Sequence, residues 1–330
     1  MPRLIRAALL VAGAAVLAVL VSRIGVRVIL DLLRQVGSAF LVVAAIYAAH
    51  LAVRAAALWR CLPPQSLRYG EVLRVRLSAE AVEMLTFTGP FLAEPAKGWL
   101  LARRGLTGAD AFGGVAIEYL LYTLMSAWMA IVALSLLIAR GALAPGLRGA
   151  VIGVIAGMIA FTLAFIVAAV SGRGLLVPIV RRSGAVIGRR RADAAAARLD
   201  PVERVLVAFI HDKPLRLSVV LVIEAIGHLL LALEILVVVR ALGLSIALMD
   251  PIIVEGAIKF ISVAFFFVPG QLGAQEGVYT LLFQAIGLSG AVGLTMALVR
   301  RVRALIVAGA GVAILAMTSD QRPTTMTNDP

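Results

Sequence analysis

The stretch GAVIGVIAGMIAFTLAFIVAAV at residues 149–170 decides the fold class of this chain. It carries no charged side chain and has the length of about 20 residues that an α-helix needs to cross the hydrocarbon core of a bilayer. Similar runs recur from Leu4 to Met317, and 62% of the 330 residues are hydrophobic. A soluble fold has no core that can bury so many apolar runs, so the sequence predicts an integral membrane protein.

The runs are predicted to be helices. Only helices and closed barrels satisfy every backbone polar group in lipid, and barrel strands alternate apolar and polar residues over segments of about 10 residues. These runs are continuously apolar, which favours an all-α polytopic membrane protein. Six segments have the length of one crossing: Leu4–Val21, Val36–Leu58, Ala109–Ala139, Gly149–Val170, Leu217–Arg240 and Ala291–Met317. The first of them also fits a signal peptide, although its near-spanning length favours a membrane span.

Two further apolar segments, 77–102 and 251–287, are interrupted near their middles by helix breakers. The breakers are Gly89 and Pro90 in the first segment and Pro269, Gly270 and Gly273 in the second. Irregular backbone at membrane depth must be shielded by protein or line a cavity, so each segment is predicted to be a re-entrant hairpin of two half-helices. The alternative is that segment 77–102 crosses the membrane completely.

An internal repeat relates the two halves of the chain. The block GLTGA at Gly105–Ala109 matches GLSGA at Gly287–Ala291, and Glu94 precedes the first block by the distance at which Glu276 precedes the second. Both matches have one offset (276 − 94 = 182), and this offset also superposes the flanking spans. The predicted unit is therefore a span, a broken hairpin and a span, occurring twice.

Basic residues predict the orientation, because loops rich in arginine and lysine stay in the cytoplasm. The arginine-rich segment near 171–216 is predicted to be a cytoplasmic loop, as is the loop that carries Arg60, Arg68, Arg74 and Arg76. The loop 241–250, which has no basic residue, lies outside. The two repeats are then inverted, a construction typical of transporters, and both termini are cytoplasmic. The single membrane domain is divided into repeat one at about 36–139, the basic loop at about 171–216, repeat two at about 217–318 and a flexible tail at 319–330.

Charge and composition exclude several functional classes. The net charge of +13 lies in short loops and one basic stretch without interleaved aromatic residues, which favours contact with anionic lipid over nucleic acid. A single cysteine, Cys61, excludes an intrachain disulfide, and three scattered histidines argue against a zinc centre. There is no P-loop, HExxH motif or nucleophile elbow, so we expect neither an enzyme nor a metal or cofactor site.

Charged residues within membrane segments are costly and are usually functional. Glu94 and Lys97 follow the first breaker and Glu276 follows the second, at equivalent positions of the repeat. A carboxylate beside the end of a half-helix can bind a cationic headgroup, an ion or a proton, or it can simply satisfy backbone amides. The same offset relates Glu118 to Arg300, which predicts a pair across the repeat interface that exchanges partners between states. The alternative is that Arg300 marks a membrane boundary.

Three further pairs lie four residues apart on one helical face: Glu224 with His228, Glu255 with Lys259, and His50 with Arg54. Such pairs fit a polar relay for protons or a groove for a headgroup. The alternative is that they are packing contacts that satisfy each other.

The motifs GPFLAEPAK at Gly89–Lys97 and VPGQLGAQEG at Val268–Gly277 resemble the flippase-like family built on the transmembrane domain of lysylphosphatidylglycerol synthases. The resemblance covers most of the chain and implies an inner-membrane protein that handles lipids; in the synthases, the flippase domain moves an aminoacylated phospholipid between leaflets. Ala93 stands where the family usually has glycine, and Tyr119 where it often has arginine. The matching positions are Pro90, Glu94, Lys97, Glu118, Pro269, Gly270, Gly273, Glu276 and Arg300.

The predicted function is lipid translocation or lipid transport in the bacterial cytoplasmic membrane, with a headgroup bound between the two broken hairpins. The expected partners are membrane lipids, either an anionic or headgroup-modified phospholipid or a lipid-linked precursor. Because the chain ends soon after its last span, we expect no aminoacyl-transferase domain and no synthesis of lysylphosphatidylglycerol. Two alternatives remain: a non-transporting scaffold for a lipid or glycan-lipid enzyme, and a secondary carrier of ions or small solutes.

Overall fold

A computed structural model describes residues 26–85, 90–142, 145–172, 174, 176–264 and 274–319. Within these ranges the chain forms α-helices joined by short connections, without β-strands, which confirms the predicted all-α class. The predicted first span, Leu4–Val21, lies outside the described residues, as does most of the predicted tail.

The helices fall into three groups along the chain. The first group is α1 (Val26–Val36), α2 (Ala39–Cys61), α3 (Tyr69–Leu85), α4 (Pro90–Ala102) and α5 (Gly108–Ala139). The second is α6 (Pro145–Ser171), α7 (Leu176–Arg182), α8 (Gly184–Ile187) and α9 (Arg189–Asp212). The third is α10 (Pro214–Ala241), α11 (Asp250–Ala264), α12 (Ala274–Ala285) and α13 (Gly290–Ser319).

By length and composition, several of these helices suit a multi-pass membrane protein. Four are long and apolar enough to cross a bilayer, namely Ala39–Cys61, Gly108–Ala139, Gly146–Ala168 and Pro214–Ala241. They correspond to four of the predicted spans. The predicted span 291–317 forms the 30-residue helix α13, which carries Arg300, Arg301 and Arg303 near its middle.

Each predicted broken segment contains two helices that pack against each other, α3 with α4 and α11 with α12. Residues 86–89 and 265–273 lie outside the described residues, and with them four of the predicted breakers: Gly89, Pro269, Gly270 and Gly273. Pro90 begins α4, a position where the fixed φ and the missing N–H of proline are tolerated. The first segment starts at Tyr69 and not at Leu77, because Arg76 is a buried helical residue that pairs with Glu80 and not a loop residue.

The first and third groups of helices pack against each other in a reciprocal way. Helix α2 lies along α10, α3 packs on α13, and α11 packs on α5. Within each group, α4 contacts α5 and α12 contacts α13. Every helix from α2 to α5 therefore has a counterpart with corresponding neighbours among α10 to α13.

Two of these crossings depend on glycine. A Cβ atom on Gly256 of α11 would lie 2.5 Å from the carbonyl oxygen of Met129 in α5, and one on Gly311 of α13 would lie 2.7 Å from the Cβ of Ala81 in α3. Small residues let membrane helices approach closely enough for their backbones to touch. In both crossings, α11–α5 and α13–α3, a glycine thus allows the two helices to approach closely.

The matching blocks GLTGA and GLSGA adopt the same local structure. Gly105 and Gly287 both have positive φ, +95° and +87°, and α5 and α13 begin at Gly108 and Gly290. The two helix starts are separated by the offset of the repeat (290 − 108 = 182).

The segment predicted to be a cytoplasmic loop, at about 171–216, is folded in its described residues into α7, α8 and α9. It folds because part of it is amphipathic: Phe209 of α9 is buried in a cluster with Cys61 at the end of α2 and Ile117 in the first half of α5. At the other end of α5, Arg140 pairs with Asp250 at the start of α11, the two groups being 2.5 Å apart. The arginine-rich segment and the loop 241–250 therefore contact opposite ends of α5.

Candidate functional site

Buried charged side chains lie between two apolar clusters of the helix bundle. Along α2 they fall between the core residues Val43 and Leu58, and along α5 they fall between Val115 and Ala133. The buried polar residues of this layer are His50, Arg54, Arg76, Glu80, Lys97, Glu118, Glu224, His228, Glu234, Glu255 and Arg303. Moving a charge out of water costs several kcal/mol unless it is paired, so these side chains must find partners inside the bundle.

Glu118 is the centre of the first group of partners. It lies on α5 with no solvent exposure, and Arg54 of α2 donates to it from Nε at 3.0 Å and also from Nη2. Lys97 of α4 donates to its other oxygen at 3.2 Å, and Arg76 of α3 lies 3.5 Å away. Three helices therefore direct cations at a single carboxylate.

Lys97 connects this centre to the first hairpin. Its side chain is 1% exposed, and its Nζ lies 2.7 Å from Glu94 and 3.2 Å from Glu118. Glu94 is 17% exposed and lies one turn before Lys97 on α4. The predicted residues Glu94, Lys97 and Glu118 are thus brought together.

Arg300 is the centre of the second group. Its guanidinium group lies 2.9 Å from Glu255 of α11 and 3.2 Å from Glu234 of α10. It also donates to the hydroxyl of Tyr279 at 2.5 Å and to the carbonyl oxygen of Leu231 at 2.9 Å. Arg300 is therefore held inside the bundle by partners on three helices, and it does not merely mark a membrane boundary.

Aromatic side chains join the two groups along one path. The guanidinium carbon of Arg54 lies 3.6 Å from the centroid of the Tyr122 ring, a cation–π contact. Lys259 of α11 donates to the hydroxyl of Tyr122 at 2.9 Å and lies 3.2 Å from Glu255. Glu255 in turn pairs with Arg300, so this path runs from α2 through α5 to α11 and α13.

A second path returns between the same groups. Arg303 of α13 pairs with Glu234 and lies over the ring of Tyr47 in α2, 3.5 Å from its centroid. Tyr47 donates a hydrogen bond to Glu80 of α3, and Glu80 lies 3.7 Å from Arg76. Because Arg76 contacts Glu118, the second path ends where the first begins.

The two paths form a closed circuit, which we call the buried charge ring. Its members are Arg54, Tyr122, Lys259, Glu255, Arg300, Glu234, Arg303, Tyr47, Glu80, Arg76 and Glu118. The ring draws on α2, α3, α5, α10, α11 and α13. A change in how these helices pack must therefore break contacts of the ring or exchange their partners.

Glu94 and Glu276, which the sequence offset relates, have similar surroundings. Glu94 lies 2.7 Å from Lys97, and Glu276 of α12 lies 2.5 Å from Arg301 of α13. Both carboxylate side chains are 17% exposed, whereas Glu118 is fully buried. Helices α4 and α12 thus each carry a partly accessible carboxylate that is held by a cation.

The structure does not form the predicted direct pair between Glu118 and Arg300. Arg54 on α2 and Glu234 on α10 provide nearer counter-ions, because these two helices pack along each other through the centre of the bundle. The predicted pair of Glu255 with Lys259 is confirmed at 3.2 Å.

In the other two predicted pairs, Glu224 with His228 and His50 with Arg54, the side chains contact other helices. Glu224 lies 3.1 Å from Arg54, while His228 stacks on Tyr122 with 5.0 Å between ring centroids and lies 3.2 Å from the hydroxyl of Ser126. The Nδ1 atom of His50 lies 2.9 Å from the carbonyl oxygen of Gly227. Helical spacing identified these residues but not their partners.

The sequence does not predict several members of the ring. Glu234 is a carboxylate within a predicted span, the same signal that singles out Glu94, and the structure buries it fully. Arg76 and Glu80 are one helical turn apart, a spacing that predicts a pair. The tyrosines gave no such signal, because an aromatic residue in an apolar helix is ordinarily part of the core. In the described residues, no group of three or more histidine, cysteine or acidic side chains could hold a metal ion.

Comparison with known proteins agrees with the motifs. The family model described as the lysylphosphatidylglycerol synthase TM region matches residues 5–311. This match confirms the resemblance carried by the two hairpin motifs and indicates a membrane protein related to lipid modification or flipping. No curated protein and no solved structure was found to match the chain.

Proposed function

This chain belongs to the lysylphosphatidylglycerol synthase TM region family, and on that basis we propose that it is a lipid translocase of the bacterial cytoplasmic membrane. The observation that carries the proposal is the buried charge ring. A protein that only fills a membrane gains nothing from ion pairs that apolar side chains of similar volume would replace without loss of stability. Charges kept inside membrane bundles mark pathways for polar groups, and a lipid headgroup is such a group.

The packing of the helices supports two inverted repeats. An operation that exchanges α2 with α10, α3 with α11 and α5 with α13 relates the main helix contacts: α3–α13 becomes α11–α5, and α2–α10 maps onto itself. Inverted repeats give a transporter two related states that open to opposite sides of the membrane. The helices of the hairpins α3–α4 and α11–α12 have 17, 13, 15 and 12 residues, against about 20 for a full crossing, which supports re-entrant hairpins.

The two hairpin ion pairs, Glu94 with Lys97 and Glu276 with Arg301, are the proposed contacts of the headgroup. An ammonium group on a headgroup competes with Lys97 for Glu94, and a phosphate competes with Glu276 for Arg301. Exchange of internal partners for headgroup partners keeps every buried charge paired while the lipid passes. The proposed cargo is an anionic or headgroup-modified phospholipid or a lipid-linked precursor, with its acyl chains remaining in the bilayer. No chemical conversion of the lipid is proposed for this domain.

The test is lipid movement in liposomes that contain the purified protein. Phospholipids labelled on an acyl chain are distributed over both leaflets, and a membrane-impermeant quencher reports how quickly the inner label reaches the outer leaflet. We expect wild-type protein to accelerate this exchange and Lys97→Gln to abolish the acceleration. Lys213→Gln is the matched control, because Lys213 is an exposed lysine outside the ring.

The outcomes separate the proposed function from its rivals. A folded Lys97→Gln protein that moves lipid as fast as the wild type would exclude the headgroup site proposed here. Wild-type protein that moves no phospholipid or lipid-linked analogue would favour a membrane scaffold. Uptake of ions or small solutes without lipid movement would favour a secondary carrier.

A further inference from the structure

Arg54 is shared between two fully buried carboxylates on different helices. Its Nε atom lies 3.0 Å from an oxygen of Glu118 on α5 and 3.1 Å from an oxygen of Glu224 on α10. Neither carboxylate has any solvent exposure. When two carboxylates share one site in this way, their mutual repulsion favours a proton on one of them.

The hydrogen bonds show which of the two carboxylates lacks a donor. The Nε–H group of Arg54 points at Glu118, which also receives Lys97 at 3.2 Å and has Arg76 at 3.5 Å. Neither oxygen of Glu224 accepts a hydrogen bond from the part of the chain that the structure describes. Glu224 is therefore near a cation without being bonded to it, whereas three cations surround Glu118.

The local charge balance agrees with this geometry. The carboxylates around Arg54 are Glu80, Glu94, Glu118 and Glu224, and the cations are Arg54, Arg76 and Lys97. Arg76 and Lys97 are held by Glu80, Glu94 and Glu118, which leaves Glu224 with Arg54 as its one ion-pair partner in the described part of the chain. An uncompensated carboxylate inside an apolar bundle is costly, and a bound proton removes that cost.

The charge of Glu224 must be neutralised by something other than the side chains around it. Helix α9 meets α10 through apolar contacts such as Phe209, and α13 directs Arg300 and Arg303 at Glu234, further along α10. The other ionisable groups on α2, α5 and α11, which pack against α10, are Tyr47, His50, Arg54, Arg60 and Cys61 on α2, Asp110, Glu118, Tyr119 and Tyr122 on α5, and Asp250, Glu255 and Lys259 on α11. Lys259 is already held by Glu255 and Tyr122.

We propose that Glu224 is a proton-binding site, protonated in this state, and that it couples proton movement to the change of state. When Arg54 turns from Glu118 to Glu224, the carboxylic acid of Glu224 releases its proton to water and becomes a carboxylate that accepts from Arg54. Glu118 keeps Lys97 and Arg76 as partners throughout. The coupling rests on the proposed translocation, but the proton site does not.

The proton site is tested by infrared difference spectroscopy on the full chain in liposomes, between neutral and alkaline pH. We expect wild-type protein at neutral pH to show the carbonyl stretch of a buried carboxylic acid. Glu224→Gln should lose one component of that band, and Glu118→Gln should retain it. An identical band in wild-type and Glu224→Gln protein would overturn the proposal, provided that both elute as folded protein in size-exclusion chromatography.

The coupling is tested by lipid exchange under an imposed pH gradient. A gradient should change the rate of wild-type exchange, and Glu224→Gln should remove that response. A rate that follows a sodium gradient, with no acid band from Glu224, would replace the proton by a metal cation and overturn the proposal. The Glu224 band without lipid movement by any variant would leave the proton site standing and refute the translocase.

Discussion

The guanidinium group of Arg303 lies over the ring of Tyr47, 3.5 Å from its centroid, and the hydroxyl of the same ring donates to Glu80. One aromatic residue of α2 thus joins α13 to α3. Tyr47 is 6% exposed, so both contacts are made in an environment where water cannot replace them. The two functions of its ring and hydroxyl can be separated by mutation.

Tyr47→Phe should keep the cation–π contact and lose the hydrogen bond to Glu80. A hydrogen bond to a charged group contributes about 1.5–3 kcal/mol, so we expect Tyr47→Phe to lower the free energy of unfolding by about that amount. Tyr47→Leu should cost about 1–2 kcal/mol more, because the contact with Arg303 is also lost. Unfolding in mixed micelles with increasing denaturing detergent measures both, and equal stability of Tyr47→Phe and the wild type would contradict the bond.

The crossing of α11 and α5 predicts an asymmetric effect of two glycine substitutions. Gly256→Ala places a Cβ atom 2.5 Å from the carbonyl oxygen of Met129, so the helices must separate, and we expect a loss of about 1–3 kcal/mol. Gly153→Ala, in α6, is the control: a Cβ there meets nothing within 4 Å. It should be neutral or stabilising by up to about 1 kcal/mol, since alanine favours helix. Thermal unfolding of both variants in one detergent gives the comparison, and a loss as large for Gly153→Ala would refute the packing argument.

The positions of the membrane helices followed from the sequence because burial in lipid leaves a long apolar run that is visible in one dimension. The pairing of side chains did not follow, because a helical period shows which residues share a face and not which faces meet. Tyr47 and Glu80 lie 33 positions apart, and Lys259 and Tyr122 lie 137 apart. Neither contact can be predicted from the spacing of residues along one helix.

The same limit explains where the candidate site was incomplete. Glu94, Lys97 and Glu118 were identified because each is a charge within an apolar segment. Arg76 was placed in a loop because Arg74 and Arg68 precede it, and a cluster of basic residues usually marks a membrane boundary. In the structure it is a buried member of the ring.

The hairpin carboxylates predict matched losses of lipid exchange. Glu94→Gln and Glu276→Gln each remove a partly exposed negative charge that holds a cation, Lys97 in the first case and Arg301 in the second. If each contact is worth the 1.5–3 kcal/mol of a charged hydrogen bond, exchange should slow about tenfold or more. Glu71→Gln is the control, since Glu71 lies in the first turn of α3, outside the ring, and accepts from the backbone nitrogen of Arg68 at 2.8 Å. A loss in one hairpin variant alone would argue against equivalent roles for the two repeats.

The contact between the end of α5 and the start of α11 predicts two graded effects at Asp250. One of its oxygens lies 2.5 Å from Arg140, and the other accepts from the backbone nitrogen of Ala247 at 3.0 Å. Asp250→Asn should keep the bond to Ala247 and lose the ion pair; the cost should be at most about 1 kcal/mol, because the Arg140 side chain is 39% exposed and the pair is screened by water. Asp250→Ala should cost about 1 kcal/mol more, from the lost hydrogen bond.

Salt distinguishes the two contributions at Asp250. The difference in unfolding free energy between wild type and Asp250→Asn should shrink as ionic strength rises, since mobile ions screen an accessible pair. The difference between Asp250→Asn and Asp250→Ala should stay constant, because a hydrogen bond to a neutral amide oxygen is insensitive to salt. Unfolding curves at low and high sodium chloride measure both differences. A salt-independent gap between wild type and Asp250→Asn would show that Arg140 adds no electrostatic stability and that only the turn at Ala247 depends on Asp250.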